Sequence, residues 1–332
     1  MFKIVRTDAE QEVCFKALEE VARVVHLPEF GTSEDDLVQE CKDADLILHC
    51  YTPITRRVIE NAQRLKGIIK YGVGIDAIDI DAAKQRGIPV ANIPDYGDQT
   101  VAEGAFYLMI TLAKNGQQVQ RLMRRDGWVW PKKEVQGLDL GGKTVGLVGC
   151  GKIGKRFARM AKGFGMRVIC FDPYRERDQL EQVDSLNRLC ERSDFISIHA
   201  TLNESSRNLI RKEHFLKMKP TAYLINTSRG GIVDEQALVH AVESHQIAGV
   251  GLDTYSVEPL HKESHVLSSL FDRDNVVLTP HFAFWTKEAA QRLQQETLER
   301  CFEIINKQSL VVKSDDPRLT SQTQNVVVRS KL

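Results

Sequence analysis

The sequence predicts an α/β protein of two domains, each built on a parallel sheet. Three observations point there. Short apolar runs alternate with stretches of helical periodicity along most of the chain. A glycine cluster joins one of those runs directly to a helix. The length, 332 residues, is about twice the roughly 150 residues of a common single domain. In the first hundred residues the runs are Phe2 to Val5, Val24 to Leu27, Leu46 to Cys50, Ile68 to Tyr71 and Pro89 to Ile93. Between the first two, Glu10 to Val21 places Val13, Leu18 and Val21 at helical spacing. Strands that alternate with helices are joined by crossovers, which gives a parallel sheet covered on both faces. Residues 1 to about 97 therefore read as one small domain.

In the middle of the chain, the run Lys143 to Val148 leads into Gly149-Cys-Gly-Lys-Ile-Gly154 and then into a helical stretch. Ile153, Phe157, Met160, Ala161 and Phe164 share one face of that helix. A second strand, Arg167 to Phe171, ends at Asp172. Each part has a physical task. Gly149 permits the tight turn, Gly151 lets a pyrophosphate lie against backbone, and Gly154 allows close helix–strand packing. The helix N-terminus stabilises the phosphate charge. Asp172 is placed to accept hydrogen bonds from an adenosine ribose and to repel a 2′-phosphate, so the expected cofactor is NAD. Arg175 and Arg177 nearby soften that preference. Further runs at Phe195 to His199, Ala222 to Ile225, Gly249 to Leu252 and Val276 to Leu278 bring the total to six parallel strands. That is the number of a doubly wound Rossmann domain, whose ligand crevice lies beyond the carboxyl ends of the strands.

Composition narrows the partners. Lys+Arg and Asp+Glu are 45 each, so the net charge is zero. A neutral chain has no long-range field to draw nucleic acid or an acidic membrane surface, and neither is expected as a partner. The most apolar stretch, Ala105 to Ala113, is too short to cross a bilayer. The first residues turn charged quickly, so no secretory signal is expected. Seven cysteines without close pairing fit reduced thiols in an intracellular compartment. His261 and His265 stand one helical turn apart but lack a third ligand, so no metal site is expected.

Three residues at strand ends suit chemistry. Arg229 follows a strand and precedes two glycines, Glu258 precedes Pro259, and His281 follows Pro280. An arginine can grip a carboxylate in bidentate fashion, a histidine can donate a proton, and an acid can hold that histidine in one tautomer and favour its charged form. On the rim of a nicotinamide crevice, the three fit hydride transfer to a 2-keto acid.

These segments, with Tyr71-Gly-Val-Gly-Ile-Asp76, Thr100-Val-Ala-Glu103, Asn226-Thr-Ser-Arg-Gly-Gly231, Gly251-Leu-Asp-Thr-Tyr255 and Thr279-Pro-His281, resemble the D-isomer-specific 2-hydroxyacid dehydrogenases along nearly the whole chain. The resemblance implies a flavodoxin-like substrate domain at 1–97, completed by 288–332, and an NAD-binding domain at 98–287. It implies a homodimer and a helix from about Thr100 linking the domains. It makes Arg229, Glu258 and His281 catalytic, and gives Val73 and Gly74 N–H groups that bind the substrate carboxylate. It places Gly149, Gly151, Lys152, Ile153, Gly154, Asp172, Thr201, Ser206, Thr227, Ser228 and Asp253 around NAD, with Asp253 facing the nicotinamide carboxamide.

The chain departs from the common family pattern at Phe284, where many members have glycine. In this respect it is similar to D-lactate dehydrogenases and to C-terminal-binding-protein-type dehydrogenases, which include transcriptional corepressors. Tyr51, Tyr96 and Phe284 would wall the tail end of the substrate with apolar surface. The expected substrate is therefore a small 2-keto or 2-hydroxy acid with an apolar or short tail, and not 3-phosphoglycerate. The alternative is an NAD(H)-sensing dimeric interaction protein of the corepressor type. After Gln308 the chain turns polar and reads as a flexible tail. Its last residues, Ser330-Lys331-Leu332, match a peroxisomal matrix address if the source is eukaryotic; in any other source the cytoplasm is expected.

Overall fold

The computed structural model describes residues 1–8, 16–28, 32–174, 180–322 and 324–329. The stretch Glu10 to Phe15, Arg175, Arg177 and the terminal Ser330-Lys331-Leu332 lie outside the described residues. The chain divides into two compact units, Met1–Gly97 with Thr286–Leu332, and Asp98–Trp285.

The first unit carries strands β1 (Phe2–Arg6), β2 (Ala22–His26), β3 (Leu46–His49), β4 (Gly67–Lys70) and β5 (Val90–Asn92). All pair in parallel in the order β2-β1-β3-β4-β5, the flavodoxin-like order. β3 and β4 are buried at every residue, which explains runs with no polar alternation. Helices between them start at capping side chains: Ser33 accepts from Asp36 N–H, Thr55 from Val58 N–H and Asp79 from Ala82 N–H. Of the expected first helix, the described part is Lys16–Glu19; Leu18 is buried and Val21 is half-exposed beyond it.

The second unit contains β6 (Thr144–Val148), β7 (Arg167–Phe171), β8 (Glu181–Gln182), β9 (Phe195–Ile198), β10 (Tyr223–Asn226), β11 (Gly249–Leu252) and β12 (Val276–Leu278). The order β12-β11-β10-β9-β6-β7-β8 is the doubly wound arrangement, all parallel, with its switch point between β6 and β9. Sheet residues alternate between two apolar layers. Val145, Leu147, Phe195 and Ile225 pack with helices Asp98–Ala113 and Lys152–Gly163, while Val148, Ile196, Leu224 and Val250 pack on the other face.

Two expectations need correction. The sheet has a seventh strand, β8, whose two residues are too few to show any periodicity. Nor is the segment beyond Gln308 a bare tail. It forms β13 (Leu310–Val312) and β14 (Val326–Val328), a parallel pair around the helix Pro317–Thr320. The Gln322 side chain bonds both N–H and C=O of Val90 at 2.7 and 2.9 Å, and Val312 and Leu319 are fully buried. The polar stretch between the two strands hides this: the short apolar run Leu310–Val312 is buried against β5, and the Gln322 amide adds the two bonds to Val90. Among the described residues, no helix is long and apolar enough to cross a membrane.

Candidate active site

The glycine turn lies at the switch point. Gly149 has φ +90°, and a Cβ there would stand 2.9 Å from the His199 carbonyl, so no other residue fits. Gly151 precedes the helix Lys152–Gly163 without a side-chain cap, leaving the first-turn N–H groups of Ile153 and Gly154 for an anion. Asp172 lies over the turn: its carboxylate accepts from Cys150 N–H at 2.8 Å and from Tyr174 N–H at 3.1 Å. His199 lies beneath; burial pushes its imidazole down to about 3, so it adds no charge. Buried polar atoms at neighbouring strand ends, Thr227 Oγ1, Thr254 Oγ1 and His199 Nδ1, have no partner among the described residues. A cradle that only glycine permits, an uncapped helix end and orphaned hydroxyls fit a bound dinucleotide.

Other residues expected around NAD are engaged within the protein. Ser206 Oγ donates to the Thr201 carbonyl at 2.7 Å and accepts from Asn203 N–H, which closes the 201–206 turn. Ser228 Oγ donates to the Ile198 carbonyl at 2.6 Å, tying the end of β10 to β9. Asp253 shows the largest difference from expectation. It is buried at the end of β11, and its carboxylate accepts from Thr279 Oγ1 at 2.5 Å and from Phe282 and Ala283 N–H, both at 2.9 Å. These donors flank His281, so Asp253 holds the histidine loop; spacing could not reveal that its oxygens are already engaged. Burial pushes the Asp253 carboxyl above the usual range, although these bonds and the nearby His281 charge pull it down.

His281 has φ +59°, unusual for a side chain with a Cβ. Its Nδ1 lies 2.9 Å from Glu258 Oε2, with the two side chains 19% and 29% exposed. The other Glu258 oxygen accepts from Tyr255 N–H at 2.9 Å. Burial raises the Glu258 carboxyl, but the bond and charge of His281, the Tyr255 N–H and the Arg229 guanidinium outweigh it and hold the group below its ordinary range. Arg229 follows β10, and its carbonyl accepts from the buried Asn226 side chain at 2.9 Å. A Cβ on Gly230 would fall 1.9 Å from the Tyr255 carbonyl carbon, so the arginine turn presses on the chain that carries Glu258. Phe284, 5% exposed, stands edge-on to the His281 ring with centroids 6.1 Å apart. Arg229, Glu258, His281 and Phe284 thus form one group within the second unit.

The remaining candidates belong to the first unit. Tyr51 follows β3, Val73 and Gly74 follow β4, and Tyr96 follows β5. Two residues missed in the sequence organise this end. Asp8, 5% exposed, accepts from Cys50, Tyr51 and Thr52 N–H at 2.8, 2.5 and 2.8 Å. Lys70 donates to the Cys50 carbonyl and lies 4.9 Å from the Tyr51 ring centroid. The available signals were an acid just past a strand end and a lysine inside an apolar run.

Fold and rim define a dinucleotide-binding α/β protein with an acid–base pair and an arginine at its strand ends. Residues 106–283 match the family described as D-isomer specific 2-hydroxyacid dehydrogenase, NAD binding domain. The chain is 39% identical over 272 residues to a hydroxypyruvate reductase of Thermotoga maritima, spanning 81% of this chain and 87% of that one. It is also 39% identical over 295 residues to a D-3-phosphoglycerate dehydrogenase of Methanocaldococcus jannaschii, spanning 87% of this chain but 55% of the relative; it thus covers about half the length of that enzyme. A D-lactate dehydrogenase from Aquifex aeolicus, solved with NAD and lactic acid, superposes with TM-score 0.82 at 29% identity, over 92% of this chain and 96% of that one. The chain belongs to the D-isomer-specific 2-hydroxyacid dehydrogenase family, and its second unit carries that family's NAD-binding domain.

If Asp253 holds the histidine loop, Asp253→Asn should lower kcat about tenfold or more while NADH affinity stays within about threefold, because one amide oxygen cannot serve three donors. Stopped-flow turnover and NADH fluorescence titration check this; a large loss of NADH affinity at normal kcat would return Asp253 to a direct cofactor contact.

Proposed function

We propose that the protein reduces a small 2-keto acid with an apolar or short tail to the D-2-hydroxy acid, reversibly and with NADH. The observation that carries this is the His281–Glu258 pair at 2.9 Å with Arg229 acting on the same carboxylate. Bound NADH supplies the hydride. Arg229 takes the substrate carboxylate and polarises the adjoining carbonyl; the N–H groups of Val73 and Gly74 are the first unit's candidates for binding that carboxylate. Glu258 engages His281 Nδ1, which fixes the tautomer and leaves Nε2 to give the proton to the carbonyl oxygen. The Glu258 carboxylate stays ionised and stabilises the imidazolium. Phe284, edge-on to His281, supplies apolar surface for the tail, and Tyr51 and Tyr96 are the first unit's candidates for the same role. Lys70 adds a cation beside Tyr51, but its ammonium is turned onto the Cys50 carbonyl. Relatives named for phosphoglycerate, hydroxypyruvate and glyoxylate differ in substrate, so the wall is what selects among them here.

The proposed assembly is a homodimer. The helix Gly116–Asp126 buries none of its residues. Val119, Met123, Trp128 and Trp130 are exposed, the tryptophans at 72% and 74%, with their rings 6.0 Å apart. Clustered exposed aromatics of this kind suit a self-complementary interface. Light scattering should give about twice 37.6 kDa, and Trp128→Glu with Trp130→Glu should give the single-chain mass; a wild-type monomer removes this reading.

In a kinetic panel, pyruvate and its alkyl or aryl homologues, glyoxylate or hydroxypyruvate should exceed phosphohydroxypyruvate in kcat/KM. A tenfold advantage for the phosphate would sink the apolar-wall argument. Tight NADH binding with no turnover of any acid would favour the interaction-protein alternative. His281→Ala should cut kcat by roughly 10²–10⁴ with NADH binding retained. Glu258→Gln should lower kcat about tenfold or more with NADH binding retained, because His281 loses the carboxylate that holds its Nδ1 and stabilises the imidazolium. A near-normal kcat in His281→Ala removes it from the acid role.

A further inference from the structure

Strands β4 and β5 end side by side, with Lys70 opposite Asn92. Beyond β4 the chain turns through Tyr71, Gly72, Val73 and Gly74, and the end of β5 holds two consecutive carbonyls of that turn. Ile93 N–H donates to the Gly72 carbonyl at 2.8 Å. The Asn92 side chain donates through Nδ2 to the Val73 carbonyl at 2.6 Å. In an extended strand successive carbonyls point to opposite sides; here both face β5, and Gly72 permits it at φ +133°. A trans peptide carries its C=O and N–H on opposite sides. Pinning the Gly72 and Val73 oxygens to β5 therefore turns the N–H groups of Val73 and Gly74 together to the other side. Neither N–H has an acceptor among the described residues. Adjacent N–H groups presented on one side form an anion-binding nest.

Packing does not account for an amide at position 92. Asn92 is 3% exposed, and its Oδ1 is buried with no partner. An aliphatic residue would fill the space without that orphaned oxygen, which is costly in a buried setting. What the amide provides is the bond to Val73. We propose that Asn92 is a positioning residue, holding the Val73 carbonyl so that the Gly74 N–H, beside that of Val73, is aimed at the substrate carboxylate. The inference rests on the dehydrogenase reading and on those N–H groups as its carboxylate site. The carboxylate does not change in the reaction, so the nest grips it alike before and in the transition state. Weakening such uniform binding raises KM and spares kcat.

The test compares wild type with Asn92→Ala, Asn92→Asp and Asn92→Ser, using NADH and the best acid of the panel. Asn92→Ala and Asn92→Asp should raise KM for the acid about tenfold or more, with kcat within about threefold and NADH affinity within about twofold. Asn92→Ser keeps a donor and should recover part of the KM. Asn92→Asp preserves shape and serves if the alanine variant does not fold. An unchanged KM in a folded Ala or Asp variant overturns the proposal, as does a kcat loss with KM unmoved. Failure of all three variants to fold makes the role structural and also overturns it. A wild type that binds NADH but reduces no 2-keto acid brings down the dehydrogenase reading itself, which is a separate result from an active enzyme whose Asn92 variants keep their KM.

Discussion

The buried Asp253 carboxylate at the end of β11 governs the rest of the site. His281 sits at φ +59°, a conformation that costs on the order of 1–3 kcal/mol when nothing holds it. Asp253 accepts from Thr279, Phe282 and Ala283, donors on both sides of the histidine. Three hydrogen bonds converging on one buried carboxyl group over-determine the loop. With residue 281 fixed, its Nδ1 faces Glu258; Tyr255 N–H fixes Glu258 in turn, and Gly230 lets the Arg229 turn press on Tyr255. Three chemical groups from three strand ends are thereby linked by one run of contacts.

The first unit uses the same device. Asp8 lies just past β1 and gathers the N–H groups of Cys50, Tyr51 and Thr52. In both units the chain beyond a parallel strand leaves the ladder with N–H groups that still need acceptors. A short acidic side chain from an adjacent strand end can take several at once. The resulting loops are each tied at several points, and they carry the residues expected to meet substrate. The Asn92 bond to Val73 extends the pattern from N–H groups to a carbonyl, held by a donor where the others are held by acceptors.

Some of this was legible in the sequence and some was not. The glycine turn was, because Gly149 and Gly154 meet local demands that a short segment states completely. The buried strands were, because β3 and β4 are covered on both faces and so are apolar up to their last residues, His49 and Lys70. Arg229, Glu258 and His281 could be selected as residue types at strand ends, and Glu258 and His281 do meet. Ser206 and Ser228 look like ligand groups in sequence; in the structure the Ser206 hydroxyl bonds within the 201–206 turn and the Ser228 hydroxyl ties β10 to β9. β8 is too short for any pattern, and the segment after Gln308 docks through a run of only three apolar residues, Leu310–Val312, and through the Gln322 side chain, set among polar residues that point away from a packed role.

From the sequence alone came the alternation of strands and helices, the glycine turn and the choice of Arg229, Glu258 and His281 as candidates. Each is set by neighbours a few positions apart, where spacing and residue type are enough. Which oxygen meets which N–H was decided by tertiary structure: Asp253 with Ala283, Asp8 with Thr52, Glu258 with His281. Those partners come from different strands, and their distances exist only once the parallel sheets bring the strand ends together.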